Sequence, residues 1–267
     1  MSNPLGSFIW YELMTTDPDG AAAFYGPVVG WKIAAPGDPA TKGGVDYRHI
    51  VRSDGGNGGG VLALTPEMRE GGAQPVWLGY LYVPDVDAAV AAIVADGGTQ
   101  TMAPFDIDVG RIAMVTDPQG APFYVMNPIA QQGKEDMTSD VFSPDEAQHM
   151  RWNELSTTDP DAAVRFYATH FGWSQEGDMD MGEMGKYRFI QHHGTGIGAI
   201  MPKMPEMPVS LWTYYIGVDD IDRAVAAIGS AGGTVTFGPM EIPGGEYALN
   251  GIDPQGAAFG LVGPKKT

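Results

Sequence analysis

Glu12 and Glu154 are the carboxylates with the strongest chemical potential in this chain, because each stands at the same point of a stretch that occurs twice. Trp10 to Trp31 reads WYELMTTDPDGAAAFYGPVVGW and Trp152 to Trp173 reads WNELSTTDPDAAVRFYATHFGW, with about 13 of 22 positions identical. A carboxylate in half-apolar surroundings can have its pKa raised until it serves as a general base. Tyr80 and Tyr215 form a second matched pair, and a phenol facing a base can polarise a carbonyl. Three readings stand side by side. Each Glu acts as a base with its Tyr, or hydrogen-bonds a ligand without chemistry, or caps backbone or pairs with an arginine across the strands. Arg48 and Arg188, in the repeated Tyr-Arg pairs, are the arginines in question. Other chemistries are poorly supplied. With no cysteine there is no thiolate ligand, disulfide or cysteine nucleophile. The five histidines are His49, His149, His170, His192 and His193, and no Ser-His-Asp spacing marks a nucleophile. His192-His193 reads as a solvated hairpin with a weak surface metal site as its alternative.

These residues need elements to hold them. Phe8 to Thr15 alternates as a strand, with Trp10, Glu12 and Met14 on one face and Ile9, Tyr11 and Leu13 on the other. Asp17 caps the helix that follows, with Pro18 at its first position, and Gly30 ends it. Asp159-Pro160 starts the second copy in the same way. Asp46 to Arg52 and Gly60 to Thr65 read as strands joined by the turn Asp54-Gly55-Gly56-Asn57-Gly58. That glycine run lacks the Lys-Ser/Thr and the helix of a phosphate loop. Leu78 to Val83 restarts the pattern, followed by a helix from Asp87 to Ala95 and strands at Thr99 to Ala103, Gly110 to Asp117 and Pro122 to Asn127. Val83-Pro84-Asp85-Val86-Asp87 is answered by Val218-Asp219-Asp220-Ile221-Asp222, and Asp117-Pro118-Gln119-Gly120 by Asp253-Pro254-Gln255-Gly256. The chain is therefore a tandem duplication in which each half holds two smaller units. Residues 1–130 form the first domain, the polar stretch 131–149 a linker, and 150–267 the second domain. In the second copy, Tyr187 to Gln191 and Gly198 to Met201 are strands, and Met201 to Pro208 is a proline-rich connector.

Composition narrows the partners. The formal charge of −18 repels phosphate backbones and anionic lipid, so neither nucleic acid nor membrane is an expected partner. No apolar run reaches the length of a membrane span, and no signal peptide is legible at the N-terminus. A soluble, cytoplasmic monomer or homodimer is expected.

The capping Asp17, Phe24-Tyr25 with Gly30-Trp31, Val83-x-Asp85-x-Asp87 with Gly97-Gly98, and the Asp-Pro-Gln-Gly turns together resemble the vicinal oxygen chelate superfamily of glyoxalases, bleomycin resistance proteins and extradiol dioxygenases. The resemblance spans nearly the whole chain, twice. It is similar in particular to the tandem glyoxalase-like subgroup that includes a mycobacterial antigen. The resemblance implies an α+β fold in which four βαβββ units pair into two cupped mixed sheets with flanking helices, each cup holding a substrate. It also implies four metal-ligand positions per cup pair of strands: two on first strands, seven residues before the capping Asp, and two on last strands. The first-strand positions fall on Trp10, Leu78, Trp152 and Thr213, and the last-strand positions on Ala63, Tyr124, Ala199 and Gly260. None is an imidazole or carboxylate, so no metal and no other cofactor is expected. Trp10 and Trp152 either stack on a planar ligand or fill the space a metal would take. The cup pseudo-twofold implies that Glu12 meets Tyr80 and Glu154 meets Tyr215. Tyr124 crowds the first cup, whereas Ala199 and Gly260 leave the second open, so the second is the expected binder. Thr213, Arg48, Arg188 and Met201 complete the expected ligand-binding set. Met201, Met204 and Met207 suit a soft wall at the mouth of the second cup, with core filling and Cu(I) binding as alternatives. The functional expectation is sequestration of a small, aromatic or polyketide-like organic molecule. The alternatives are a metal-independent lyase, isomerase or oxygenation-assisting enzyme built on these Glu/Tyr pairs, and a metal-dependent lyase or dioxygenase.

Overall fold

The computed structural model describes residues 3–36, 45–129 and 138–266. Residues 131–137 of the expected linker lie outside the described residues. The first quarter of the chain comprises β1 (Phe8–Thr15), α1 (Pro18–Val29), β2 (Lys32–Ile33), β3 (Tyr47–Val51), β4 (Asn57–Ala63) and the short α2 (Pro66–Glu70). Then come β5 (Val76–Tyr82), α3 (Val86–Ala95), β6 (Thr99–Ile107), β7 (Gly110–Thr116) and β8 (Pro122–Pro128). The second copy opens with β9 (Met150–Thr157), α4 (Pro160–Phe171), β10 (Ser174–Asp180), β11 (Lys186–His192) and β12 (Thr195–Pro202). It closes with β13 (Leu211–Gly217), α5 (Ile221–Ser230), β14 (Thr234–Glu241), β15 (Tyr247–Ile252) and β16 (Ala258–Gly263). The strands form two eight-stranded mixed sheets, ordered β2-β3-β4-β1-β5-β8-β7-β6 and β10-β11-β12-β9-β13-β16-β15-β14. The α+β class and the paired βαβββ units are as the sequence implies.

Local chemistry explains the ends of these elements. Asp17, Asp85, Asp159 and Asp220 each accept a backbone N–H from the first turn of their helix. Gly30 and Gly172 end α1 and α4 in the left-handed conformation. Three elements differ from expectation. The glycine run is half strand, since β4 begins at Asn57 and shifts register against β3 near Ile50 and Val51. β6 continues through Pro104 to Ile107, which an edge strand with register shifts tolerates. Met201 and Pro202 belong to β12, so the proline-rich connector begins at Lys203 rather than Met201.

By packing, the chain divides into two compact units. One holds Met1–Ile9, Leu78–Ser139 and Trp152–Thr213; the other holds Trp10–Trp77, Asp140–Arg151 and Tyr214–Thr267. The first is called the Trp152 unit below and the second the Trp10 unit. Each therefore joins a βαβββ unit from one half of the sequence to one from the other half. The 1–130 and 150–267 division describes the covalent duplication; packing groups the pieces differently.

Side chains on α1 and α4 account for that grouping. In the Trp10 unit, Trp77 Nε1 donates to the Tyr25 hydroxyl at 2.9 Å, and that hydroxyl donates to Asp253 Oδ2 at 3.1 Å. Asp253 Oδ1 accepts the backbone N–H groups of Gln255 and Ala257, so one carboxylate both shapes its turn and holds α1. Phe24 meets Phe259 edge-on at 5.5 Å, and Arg223 on α5 donates to the carbonyls of Pro27 and Val28 at the end of α1. Asp140, Val141 and Gln148, from the expected linker, are anchored here. Arg52 holds Asp140 at 2.7 Å, Val141 is buried, and the Gln148 carbonyl accepts from Trp31 Nε1 at 2.8 Å. In the Trp152 unit the same device recurs: Trp212 Nε1 donates to Tyr167, which donates to Asp117 Oδ2 at 3.2 Å. His170 on α4 faces Asp96 at 3.0 Å.

Candidate functional site

The exposed side of β9, β12 and β11 in the Trp152 unit carries a connected polar and aromatic cluster. Trp152, Glu154, Tyr187 and Phe189 are each half-buried, whereas Asn153 and Leu155, on the opposite face of β9, are buried in the core. This is the alternation a one-sided strand dictates. Register aligns the cluster: Ala199 on β12 is the partner of Glu154 on β9 and of Phe189 on β11. Trp152 Nε1 donates to the Tyr187 hydroxyl at 2.7 Å, and that hydroxyl donates to Glu154 Oε2 at 2.8 Å. The phenol is thus fixed between an indole donor and a carboxylate acceptor, and the bond to the carboxylate is charge-assisted. Phe189 stands edge-on to both rings, 6.4 Å from Trp152 and 5.7 Å from Tyr187. The Cα partner of Met201 is Ser156, which puts Met201 on the same face.

The Trp10 unit repeats the cluster with changes at two positions of the neighbouring strands. Trp10 Nε1 donates to the Tyr47 hydroxyl at 2.7 Å. His49 takes the place of Phe189, edge-on to Trp10 and to Tyr47 at 6.0 Å each. Gly60 is the partner of both Glu12 and His49, so it fills the role of Ala199. Glu12 is only 3% exposed. Tyr47 and Tyr187 escaped the sequence reading as site residues, although the signal was there in the repeated Tyr-Arg pairs. Period-2 alternation puts the tyrosine and the arginine of each pair on opposite faces, so only one of the two can line the site.

The arginines prove to belong to the helix side. Arg48 is buried, grips Asp46 through two nitrogens at 2.7 and 3.0 Å and reaches Asp19 in the first turn of α1 at 2.6 Å. Its guanidinium holds the Asp46 carboxyl below the usual carboxylate range. Arg188 reaches Asp161 in the first turn of α4 at 2.8 Å. The expected pairing of these arginines with Glu12 and Glu154 is corrected: they pin β3 and β11 to their helices.

The remaining expected site residues are placed as follows. Tyr80 and Tyr124, Cα partners on β5 and β8, stack face to face at 4.2 Å in the Trp152 unit and are both buried. In the Trp10 unit the Tyr215 hydroxyl accepts from Asn250 Nδ2 at 3.0 Å. Gly260 does not leave open space, because a Cβ there would lie 2.5 Å from Cγ of Tyr215, whose ring covers it. Thr213 stands two residues before Tyr215 on β13, half-buried. Within its own unit, Glu154 finds its phenol in Tyr187. Glu12 and Tyr80 belong to different units, as do Glu154 and Tyr215.

The metal-ligand positions need one revision. Ala63 pairs with Thr15, on the face of β1 opposite Glu12, so Gly60 is the position that answers Ala199. The eight positions then supply only a threonine hydroxyl and a phenol as donors. That set does not fit a divalent ion, which takes imidazole and carboxylate ligands in this geometry. Among the described residues no group of three or more His, Asp or Glu side chains is placed to hold a metal. His192, the sequence alternative, is buried and bonds through Nε2 to the Leu5 carbonyl at 2.8 Å.

Gly60 gives a direct test of this geometry. A Cβ at this position would collide with the Tyr47 hydroxyl and ring. Gly60→Ala is expected to displace the phenol, break its bond to Trp10 and cost about 1–2 kcal/mol of stability. Ala199→Gly, in the copy where alanine is accommodated, should lie within about 1 kcal/mol of wild type. Urea midpoints measure both, and equal midpoints for the two variants would contradict the placement of Tyr47.

Comparison with known proteins bears on the same residues. The model of the Glyoxalase/Bleomycin resistance protein/Dioxygenase superfamily matches residues 7–125 and again 147–261. "Putative glyoxylase CFP32" of Mycobacterium tuberculosis is 35% identical over 261 residues, covering 96% of this chain and 94% of that protein. "Anthracycline biosynthesis protein DauV" of Streptomyces sp. (strain C5) is 35% identical over 278 residues, covering 96% and 93%. Among solved structures, the Mn(II)-bound glyoxalase from Novosphingobium aromaticivorans aligns with a TM-score of 0.64 at 15% identity, covering 98% of this chain and 83% of that one. At that identity the likeness is one of fold. Among the described residues no helix is long and apolar enough to cross a membrane.

Proposed function

Because this chain belongs to the Glyoxalase/Bleomycin resistance protein/Dioxygenase superfamily, we propose that it binds a flat, fused-ring organic molecule against the Trp152 and Trp10 clusters, without a metal ion. The observation that carries this reading is the locked Trp152–Tyr187–Glu154 chain, with bonds of 2.7 and 2.8 Å. A half-buried indole whose N–H is already engaged presents its face to a guest and is held rigid for stacking. The phenol and carboxylate beside it supply the few oriented polar groups that such sites use for specificity. Thr213, Tyr215, Tyr80 and Tyr124 are proposed as further lining, with Met201 as an adaptable wall. The relative named for anthracycline biosynthesis points to a polyketide-like guest. The chain is proposed to act in the cytoplasm as a monomer or homodimer.

A second reading is favoured by the 2.8 Å bond between Tyr187 and Glu154. A carboxylate that accepts from a phenol forms a base with a proton path, and the protein would then be a metal-independent lyase or isomerase with Glu154 as the base. Tyr187 is then the proposed acid, and Glu12 is the corresponding carboxylate of the first copy.

The test is thermal stabilisation by a panel of fused-ring quinones in the presence of EDTA. Ligand at about 100 times its Kd stabilises by about 2.7 kcal/mol, which moves Tm by several degrees. No shift from any planar compound would overturn the binding reading. If a stabilising compound is also turned over, Glu154→Gln should abolish turnover and keep binding.

A further inference from the structure

The two clusters correspond by strand register and differ in two places, one of which, Gly60 for Ala199, exchanges only a methyl group. Trp10, Tyr47 and Glu12 answer Trp152, Tyr187 and Glu154, but His49 stands where the second copy has Phe189. The exchange keeps shape and orientation, because both rings stand edge-on to the same Trp and Tyr at 5.7 to 6.4 Å. It changes only chemistry. Phenylalanine offers a hydrocarbon edge; imidazole offers a nitrogen that donates and one that accepts. Among the described residues, the His49 ring makes its contacts to Trp10 and Tyr47 as aromatic packing, and its nitrogens enter no side-chain hydrogen bond. By contrast, His149, His170 and His192 each direct a ring nitrogen at a protein oxygen. His49 is half-buried, and its neighbour in the row toward Glu12 is Gly60, which has no side chain.

We infer that His49 is a specificity-determining residue, and that the two copies have diverged to prefer different guests. The Trp10 cluster selects a fused-ring molecule bearing a ring hydroxyl or carbonyl, which His49 hydrogen-bonds. The Trp152 cluster takes the ring system with no preference for such a substituent at that edge. This rests on the binding reading given above and adds the substituent that tells the two sites apart.

The experiment compares 9,10-anthraquinone with 2,6-dihydroxyanthraquinone, titrated in EDTA against wild type, His49→Phe and Phe189→His. Each substitution installs the residue the other copy already tolerates, so loss of fold is not expected. The added hydroxyls should favour one wild-type site by about tenfold, the worth of one hydrogen bond of about 1.4 kcal/mol. H49F should abolish that preference. F189H should confer it on the second site, while anthraquinone itself binds all three proteins within about threefold. An unchanged ratio between the two probes in H49F overturns this inference and leaves the binding reading standing. Failure of both probes to bind any of the three proteins overturns the binding reading and this inference together.

Discussion

Trp152→Ala should weaken binding of a planar guest at the Trp152 cluster about 100-fold while leaving the Trp10 cluster and the fold intact. The indole is half-buried and belongs to the exposed side of β9, so its removal opens no core cavity. What is lost is the stacking surface of a rigid aromatic anchor, and such residues carry about 2–4 kcal/mol of a binding energy. Trp152→Phe separates the two roles of the ring. It keeps a face for stacking and loses the N–H that fixes Tyr187 at 2.7 Å. An intermediate loss of about tenfold is expected, close to one hydrogen bond. Calorimetric titration beside a urea melt reads both quantities. Two sites of undiminished affinity in Trp152→Ala would move the site elsewhere, and a loss of stability matching the loss of affinity would make Trp152 a packing residue only.

Tyr25→Phe should be the most damaging small change to stability. Its hydroxyl accepts from Trp77 and donates to Asp253 Oδ2, deep in the Trp10 unit. Without it the carboxylate keeps the turn N–H bonds to Oδ1 and loses its donor at Oδ2. Leaving a buried charged acceptor short of a partner costs about 2–4 kcal/mol. Burial, with Asp253 alongside, pushes the Tyr25 phenol upward, so it stays a proton donor across the accessible range. The pH dependence follows from Asp253, whose carboxyl is raised above its ordinary value by burial. A raised folded pKa means a stabilising contribution present below the unfolded value, about 3.9, and lost as pH rises through the folded one. Removing the donor raises the folded value further. The deficit of Tyr25→Phe relative to wild type should therefore be larger at pH 7 than near pH 4. Urea midpoints at the two pH values measure it. A deficit that is flat with pH would show that the hydroxyl acts through packing alone. Because Tyr25 and Asp253 come from opposite ends of the chain, this variant also probes the joining of sequence units that the repeat does not reveal.

Much of the scaffold is legible in the sequence because it is written in short-range chemistry. The Asp-Pro helix starts at Asp17 and Asp159, the helix end at Gly30, and the Asp-Pro-Gln-Gly turns each act within five residues, and each is found where expected. The grouping of α1 with the Asp253 turn depends on contacts more than 200 residues apart, and no local pattern encodes it. The site was half legible. Alternation places Trp10 with Glu12 and Trp152 with Glu154, but which neighbouring strand faces them depends on register. In the first copy that register passes through Asn57-Gly58-Gly59-Gly60, and glycines carry no alternation to fix it. The shift between β3 and β4 lies there, and Ala63, three residues beyond Gly60, falls on the opposite face. Arg48 and Arg188 misled for a related reason. A buried arginine next to a site tyrosine suggests a partner for the site carboxylate, yet the one-residue offset turns it toward α1 or α4.

The central claim is that the places where relatives of this fold would be read for metal ligands here form an aromatic seat for an organic guest. Its most direct test is a crystal of the protein grown in EDTA and soaked with 2,6-dihydroxyanthraquinone. The account predicts planar density stacked on the indole of Trp152 or Trp10, within hydrogen-bond reach of the Tyr187 or Tyr47 hydroxyl. Density lodged away from both clusters, or a divalent ion required before any guest binds there, would contradict it.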